Sequence, residues 1–86
     1  MIDETITVYG SDWCGDCRRA RRFLSQNNIR FEWIDIERDR AGEQFVLKTN
    51  RGMRSIPTIV FSDGSILVEP SNAALARKLG LATGAF

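Results

Sequence analysis

Hydrophobic and polar positions along the chain form four short strand patterns, each bounded by turn residues. β-branched and aromatic residues dominate these segments, which is typical of strands. Gly10-Ser11-Asp12 ends the first, and Ser62-Asp63-Gly64-Ser65 separates the last two as a hairpin turn. The strands are predicted at 5–9, 31–36, 56–61 and 66–68.

The first helix is predicted from about Cys14 to Asn27. Its apolar side chains recur at intervals of three and four residues, the period of an amphipathic helix. Four arginines fall mostly on the opposite side: Arg18, Arg19, Arg21 and Arg22. Because the overall charge is balanced, we interpret this run as a solvated helix face rather than a phosphate-binding one.

Two further helices are predicted to follow capping residues. Asp39 begins one that extends through Lys48. Its inward-facing residues are expected to be Ala41, Phe45 and Val46. Ser71 begins the last helix, and Gly80 ends it.

The resulting order, β-α-β-α-β-β-α, predicts an α/β fold in which three helices flank a four-stranded mixed sheet. A strand-helix-strand start implies a right-handed parallel crossover. Phe31–Ile36 has apolar residues on both faces, which is typical of a buried parallel strand. The hairpin then adds an antiparallel edge. The chain has 86 residues and no repeat or linker, so we interpret 1–86 as a single domain with a frayed tail at 81–86.

Composition and charge narrow the classes of function. Twelve Lys and Arg against eleven Asp and Glu give a net charge of +1, which favours neither nucleic acid nor an anionic membrane as a partner. The chain has no histidine, the commonest general base. The acidic start, Met1-Ile2-Asp3-Glu4-Thr5, is unlike a targeting peptide, and no apolar run approaches the roughly 20 residues that span a bilayer. We therefore expect a cytoplasmic protein, in a compartment that keeps thiols reduced.

Trp13-Cys14-Gly15-Asp16-Cys17 contains both cysteines of the chain. A disulfide that closes so short a loop adds little stability, so the pair favours redox chemistry over reinforcement. The start of the first helix would favour the thiolate of Cys14, and Cys17 lies one turn further on the same side. Cys14 is therefore the candidate nucleophile, and Cys17 is the candidate resolving thiol of thiol–disulfide exchange.

Two other interpretations of the cysteine pair stay open. A zinc site needs four ligands, and with no further Cys or His only a dimer would complete one, so no metal residues are assigned within the chain. Two buried, inert thiols are the other alternative. The position of the pair between a loop and a helix argues against inert thiols.

From about Ile6 to Leu79 the chain resembles the glutaredoxin family of the thioredoxin fold, and within it the bacterial mycoredoxin type. The resemblance rests on Tyr9-Gly10-Ser11-Asp12-Trp13-Cys14-Gly15-Asp16-Cys17, Asp35-Ile36-Glu37-Arg38-Asp39, Ser55-Ile56-Pro57-Thr58-Ile59-Val60-Phe61, Asp63-Gly64-Ser65 and Pro70-Ser71. It implies reduction of protein disulfides, or of mixed disulfides between proteins and a low-molecular-weight thiol. It also implies that no cofactor is tightly bound and that glutathione, mycothiol, another bacterial thiol or a flavoprotein reductase recharges the protein.

The resemblance also implies roles for individual residues. Pro57 matches the cis-proline opposite the cysteines, and Ile56 matches the residue whose backbone pairs with the thiol ligand. Arg54 stands where a basic residue often lies near ligand carboxylates, although an ordinary solvated arginine fits equally well. Ser71 and Asn72 open the last helix, whose N–H groups could hold a far carboxylate of the ligand, while plain capping also explains Ser71.

Three residues bear on which proteins and thiols the site would accept: Trp13, Ser11 and Asp16. Trp13, beside Cys14, is placed to shield a disulfide and to contact partner proteins. Glutathione-using members often have a basic residue at the position of Ser11 and an aromatic one at that of Asp16. A carboxylate at Asp16 would disfavour the negative charge on Cys14 that the helix start favours, and it would repel an anionic tripeptide. Both effects weaken the case for glutathione as the cofactor. Asp16 is equally explained as a favourable acid in a first helical turn.

Three hypotheses of function follow from these residues. The leading one is a glutaredoxin-like dithiol oxidoreductase, expected to be monomeric and to act on disulfide-containing proteins. The second is an iron–sulfur or zinc carrier in which Cys14 of two subunits and two external thiols hold the metal. The third is a non-catalytic binding module of the thioredoxin fold.

Overall fold

The computed structural model describes residues 5–81. Over this range the chain forms four strands and three helices in the predicted order. They are β1 (Thr7–Gly10), α1 (Gly15–Gln26), β2 (Glu32–Asp35), α2 (Arg40–Thr49), β3 (Thr58–Val60), β4 (Ile66–Val68) and α3 (Asn72–Leu79). The acidic start at 1–4 and positions 82–86 of the predicted tail lie outside the described residues.

The four strands form a mixed sheet in the order β2-β1-β3-β4. β1 is parallel to β2, as the crossover predicts, and β4 is the antiparallel edge beside β3. β1 and β3 are antiparallel, with Tyr9 opposite Thr58. The end of β1 therefore lies beside the beginning of β3, and both lead into loops at the same edge of the sheet.

The interpretation of Phe31–Ile36 as a buried strand is wrong. Within the described sheet β2 is an edge strand that pairs with β1 alone. Glu32 is exposed, and Trp33 and Ile34 are half-buried. The apolar residues on both faces reflect packing by helices on two sides of this edge, not a neighbouring strand on each side.

β3 begins at Thr58, two residues later than predicted. Ile56 and Pro57 belong to the preceding loop, and Pro57 has no N–H to donate to a sheet ladder. The carbonyl oxygen of Pro57 accepts from the N–H of Glu69 at 2.8 Å, which fastens this loop to the chain beyond β4. The sheet therefore ends just where the loop turns towards the cysteines.

Successive residues of β1 point to opposite faces of the sheet. Val8 lies in a first buried cluster, which α1 and α3 cover; it consists of Ile6, Val8, Ala20, Phe23, Leu24, Ile59, Phe61, Leu75 and Ala76. Tyr9 lies on the other face and stacks on Phe45 of α2, with ring centroids 4.7 Å apart. Each large aliphatic or aromatic side chain buried in this way contributes roughly 1.5–3 kcal/mol to folding.

A second buried cluster lies at the edge of the sheet where β1 and β2 end. It consists of Cys14, Cys17, Ile36, Val46 and Ile56, with Tyr9 and Trp33 packed against it. Both cysteines are thus part of the hydrophobic interior, at the point where the loops after β1 and before β3 meet.

Asp39 caps α2, as predicted, and its Oδ1 accepts from the N–H of Gly42 at 2.8 Å. Val46 is buried and Phe45 is half-buried, but Ala41 is exposed and Gly42 takes the inward position. A Cβ at Gly42 would lie 2.7 Å from Cγ2 of Ile34. α2 therefore approaches β2 too closely for any larger residue at that point.

α3 follows the cap predicted at Ser71, whose Oγ accepts from the N–H of Ala74 at 3.0 Å. Gly80 ends it in the left-handed conformation with φ of 70°. The next residue, Leu81, is half-buried against the first cluster, and its N–H donates to the carbonyl of Ala76 at 2.8 Å.

Candidate active site

Cys14 is the N-cap of α1. Its backbone is extended, and its Sγ accepts from the N–H of Cys17 at 3.2 Å, in the way that a capping oxygen does. The positive end of the helix dipole and this N–H both favour negative charge on the sulfur. Cys14 is 9% exposed, so its sulfur lies at the boundary between the interior and solvent. This geometry suits a nucleophilic thiolate.

Cys17 is fully buried one turn further along α1. Burial, and after it the side-chain hydrogen bond with Cys14, raises the pKa of its thiol from 9.0 to about 12. The backbone hydrogen bond from Ser11 acts in the opposite direction. At neutral pH Cys17 is therefore a thiol that holds its proton.

Gly10 and Ser11 shape the space around Cys17, and sequence reasoning missed both roles. A Cβ at Gly10 would lie 2.5 Å from Sγ of Cys17 and 2.8 Å from Cη2 of Trp33. Ser11 is buried, its carbonyl accepts from the N–H of Cys14 at 3.3 Å, and its Oγ has no hydrogen-bond partner among residues 5–81. The only available signal was a glycine at the end of a strand directly before the cysteine loop.

Ile56 and Pro57 lie opposite the cysteines. The carbonyl oxygen of Ile56 is 4.0 Å from Sγ of Cys14, at the long limit for a thiol donor. The Ile56–Pro57 peptide bond is cis, the form that the resemblance implies. Thr58 holds this loop, because its buried Oγ1 donates to the carbonyl of Ser55 at 2.7 Å and accepts from Nδ2 of Asn50 at 3.1 Å. The structure therefore brings Cys14, Cys17, Ile56 and Pro57 together.

Arg54 is paired within the chain. Its Nε donates to Oε2 of Glu43 at 3.1 Å, and its Nη2 donates to Oε2 of Glu37. Trp13, which is 64% exposed, donates from its indole Nε1 to Oε1 of Glu37 at 3.5 Å. The hydrogen bonds from Arg54 and then from Trp13 lower the pKa of Glu37. Glu37 and Glu43 had not been singled out from the sequence.

Ser71 and Asn72 lie at the start of α3, and a half-buried arginine joins Asn72 to α1. Arg19 donates to Oδ1 of Asn72 at 2.6 Å and to the carbonyl of Pro70 at 2.7 Å. Its guanidinium also lies 3.3 Å from a carboxylate oxygen of Asp16. Asp16 is thus both an acid in a first helical turn and the ion-pair partner of the arginine that fastens α1 to the start of α3.

The arginine run of α1 is only in part the solvated face that the sequence predicts. Arg18 and Arg22 are exposed. Arg19 makes the contacts given above, and the guanidinium carbon of Arg21 lies 3.8 Å from the centre of the Trp33 ring. The two inner arginines of the run therefore pack, and the two outer ones face solvent.

A glutaredoxin family model matches residues 6–66, which is more than half of the chain. The chain belongs to the glutaredoxin family. A candidate glutaredoxin of Mycobacterium tuberculosis (strain H37Rv) is 42% identical over 79 residues, covering 92% of this chain and 94% of the relative. Mycoredoxin 1 of Corynebacterium glutamicum is 31% identical over 74 residues, covering 86% of this chain and 91% of the relative. The match to the glutaredoxin family thus confirms the resemblance seen in the sequence.

Solved structures of glutaredoxins share the fold. A mutant of the thioredoxin-like protein BC3987 superimposes with a TM-score of 0.79 at 28% identity, covering 90% of this chain and 96% of that one. A glutaredoxin from Archaeoglobus fulgidus gives a TM-score of 0.70 at 23% identity, covering 86% of this chain and 84% of that one. A buckwheat glutaredoxin in complex with glutathione gives a TM-score of 0.65 at 21% identity, covering 90% of this chain and 71% of that one. The predicted thioredoxin-like glutaredoxin fold is therefore confirmed.

Between positions 5 and 81, no three His, Cys, Asp or Glu side chains are grouped in a way that could hold a metal ion. None of the described helices is long and apolar enough to cross a membrane.

Proposed function

We propose that this glutaredoxin-family protein is a dithiol–disulfide oxidoreductase that reduces disulfides of proteins, or mixed disulfides between proteins and a low-molecular-weight thiol. One observation carries the proposal: Sγ of Cys14 caps α1 and accepts from the N–H of Cys17 at 3.2 Å, while Cys17 is fully buried behind it. The two cysteines thus have unequal environments, which is what an attacking and a resolving thiol require.

The first step is attack of the Cys14 thiolate on one sulfur of the substrate disulfide. A bond forms between Cys14 and that sulfur, the substrate S–S bond breaks, and the other sulfur leaves as a thiolate that takes a proton from solvent. The backbone of Ile56, opposite Cys14, is placed to pair with an extended substrate.

The second step uses Cys17. Its thiol gives up the proton, and its sulfur attacks Sγ of Cys14, which forms the Cys14–Cys17 disulfide and releases the second substrate sulfur as a thiol. Two electrons have then passed from the protein to the substrate. Burial is the main cause of the raised pKa of Cys17, so this thiol keeps its proton while Cys14 makes the first attack.

Recharging returns two electrons to the Cys14–Cys17 disulfide. Two molecules of a low-molecular-weight thiol supply them by forming their own disulfide, or a flavoprotein reductase supplies them directly. Glutathione, mycothiol and other bacterial thiols are the candidates. We place the reaction in the cytoplasm and in a monomer, with disulfide-containing proteins as partners.

Two cysteine variants test the proposal. We expect Cys14→Ser to abolish reduction of a model mixed disulfide, because no nucleophile remains. Cys17→Ser should retain the first step and accumulate the mixed disulfide at Cys14, which mass spectrometry of the intact protein detects. Undiminished turnover by Cys14→Ser would refute the proposed function.

A further inference from the structure

Arg54 is linked to the surroundings of the reactive sulfur in two ways. It precedes Ile56 by two residues, and the carbonyl oxygen of Ile56 is 4.0 Å from Sγ of Cys14. Trp13 adjoins Cys14 in the chain, and its indole donates to Glu37, the same carboxylate that Arg54 binds. Trp13, Glu37 and Arg54 thus form a continuous chain of contacts that begins next to Cys14.

The charge of Arg54 is fully offset. Its Nε and Nη2 donate to Glu43 and Glu37, so one positive charge faces two carboxylates. The hydrogen bond from Arg54 lowers the pKa of Glu37, which is therefore ionised at neutral pH. The three side chains are between 33% and 42% exposed, so solvent and a ligand have access to this group.

Arg19, five residues after Cys14 in the chain, is engaged in the same way. It binds Asp16, the amide oxygen of Asn72 and the carbonyl of Pro70. A ligand carboxylate that approached Arg54 or Arg19 would therefore meet an arginine whose donors and charge already have partners. It would also meet Glu37 and Glu43 at Arg54, and Asp16 at Arg19.

We propose that Glu37 and Glu43 are specificity determinants: by occupying Arg54 they make the site disfavour a thiol that presents a carboxylate beside Cys14. The preferred class is a thiol whose parts near Arg54 carry no negative charge. This inference rests on the proposed function, since it concerns the thiol that recharges the Cys14–Cys17 disulfide.

The test compares glutathione with its diethyl ester, in which both carboxylates are esterified. Each thiol reduces the oxidised protein: two thiol molecules form one disulfide, and Cys14 and Cys17 receive two electrons and two protons. The readout is the ratio of the two second-order rate constants on the same protein. That ratio cancels any change that a substitution makes in folding or in the reactivity of Cys14.

In the double variant Glu37→Gln/Glu43→Gln we expect the ratio of glutathione to ester to rise about three- to tenfold, the range for one freed charged hydrogen-bond donor near solvent. Adding Arg54→Gln to that variant should return the ratio towards the wild-type value. This reversal distinguishes a freed Arg54 from a general loss of negative charge.

A matched control removes the same charge at the far end of the sheet. Glu32 faces Thr7 at the start of β1, and Asp63 lies in the β3–β4 turn, so both are remote from the end of β1 that leads to Cys14. The variant Glu32→Gln/Asp63→Asn should keep the wild-type ratio. A rise in this control equal to that in Glu37→Gln/Glu43→Gln would overturn the inference, as would an unchanged ratio in Glu37→Gln/Glu43→Gln.

Failure of the proposed function would look different. If neither thiol reduced the oxidised wild-type protein or any variant, and no model mixed disulfide were turned over, the oxidoreductase proposal itself would fall, and the inference with it. Reduction by both thiols with no change of ratio would overturn only the role of Glu37 and Glu43.

Discussion

The first and second clusters are both buried, but their contents differ in chemistry. The first consists of hydrocarbon side chains such as Leu24, Ile59 and Leu75 between the sheet, α1 and α3. The second places two sulfurs among Ile36, Val46 and Ile56. In the first cluster burial contributes stability alone, whereas in the second it also raises the pKa of Cys17 and holds the proton on that thiol. The same exclusion of water therefore serves folding in one place and reactivity in the other.

The largest expected effect is a loss of stability caused by a substitution in the first cluster. Leu24→Ala removes a fully buried side chain from the first cluster, and we expect the free energy of unfolding to fall by about 2–5 kcal/mol. Urea denaturation measures the loss. The rate at which folded protein reacts with a thiol reagent at Cys14 should stay as in the wild type. A changed rate in the folded variant would show that the two clusters are not independent.

A smaller effect is expected from Gly10→Ala, which acts on the second cluster. The new Cβ would lie 2.5 Å from Sγ of Cys17 and 2.8 Å from Trp33, so both side chains must move. We expect a loss of about 1–3 kcal/mol, the usual cost of overpacking, together with slower closure of the Cys14–Cys17 disulfide. Denaturation and stopped-flow oxidation measure the two effects.

Gly15→Ala is the matched control for that experiment. A Cβ at Gly15 meets no atom within 4 Å, and the residue lies in the first turn of α1. Alanine is the better helix former, so we expect stability to be unchanged or to increase by up to about 1 kcal/mol. Equal losses in both glycine variants would contradict the close packing of Cys17 against Gly10.

The buried thiol of Cys17 in the second cluster should also make stability fall at alkaline pH. Burial, followed by the hydrogen bond with Cys14, raises the pKa of Cys17 from 9.0 to about 12. In the unfolded chain this thiol ionises near pH 9, whereas the native protein keeps the proton. Stability present below pH 9 is therefore lost as the pH rises from 9 towards 12, by at most about 1.4 kcal/mol per pH unit.

Unfolding at a series of pH values measures that slope. Cys17→Ala should lose the contribution of this thiol, so the stability difference between wild type and variant should shrink above pH 9. A difference that stayed constant between pH 8 and pH 11 would show that burial does not hold the proton on Cys17.

Local patterns sufficed to predict the elements and the reactive pair. Cys14 as a helix start, Asp39 and Ser71 as caps, and the turn at Asp63-Gly64 each depend on residues that are neighbours in the chain. The spacing of Cys14 and Cys17 likewise needs only one helical turn. These parts of the fold and the site were therefore accessible from the sequence.

The contacts that the sequence did not predict join distant segments. Arg54 pairs with Glu37 and Glu43, which are 17 and 11 residues away, and Arg19 reaches Asn72 across 53 residues. The edge position of β2 and the close approach of Gly42 to Ile34 likewise depend on how the elements are arranged. Arginine periodicity shows which side of a helix is polar, but it does not show which arginine finds a partner.

The position of the two tryptophans has a spectroscopic consequence. Trp13 adjoins Cys14 in the chain, and the ring of Trp33 borders the same space beside Gly10 as Sγ of Cys17. The chain contains no other tryptophan, so all of its indole emission arises next to the sulfurs. We therefore expect tryptophan fluorescence to report the oxidation state of Cys14 and Cys17 without an added dye.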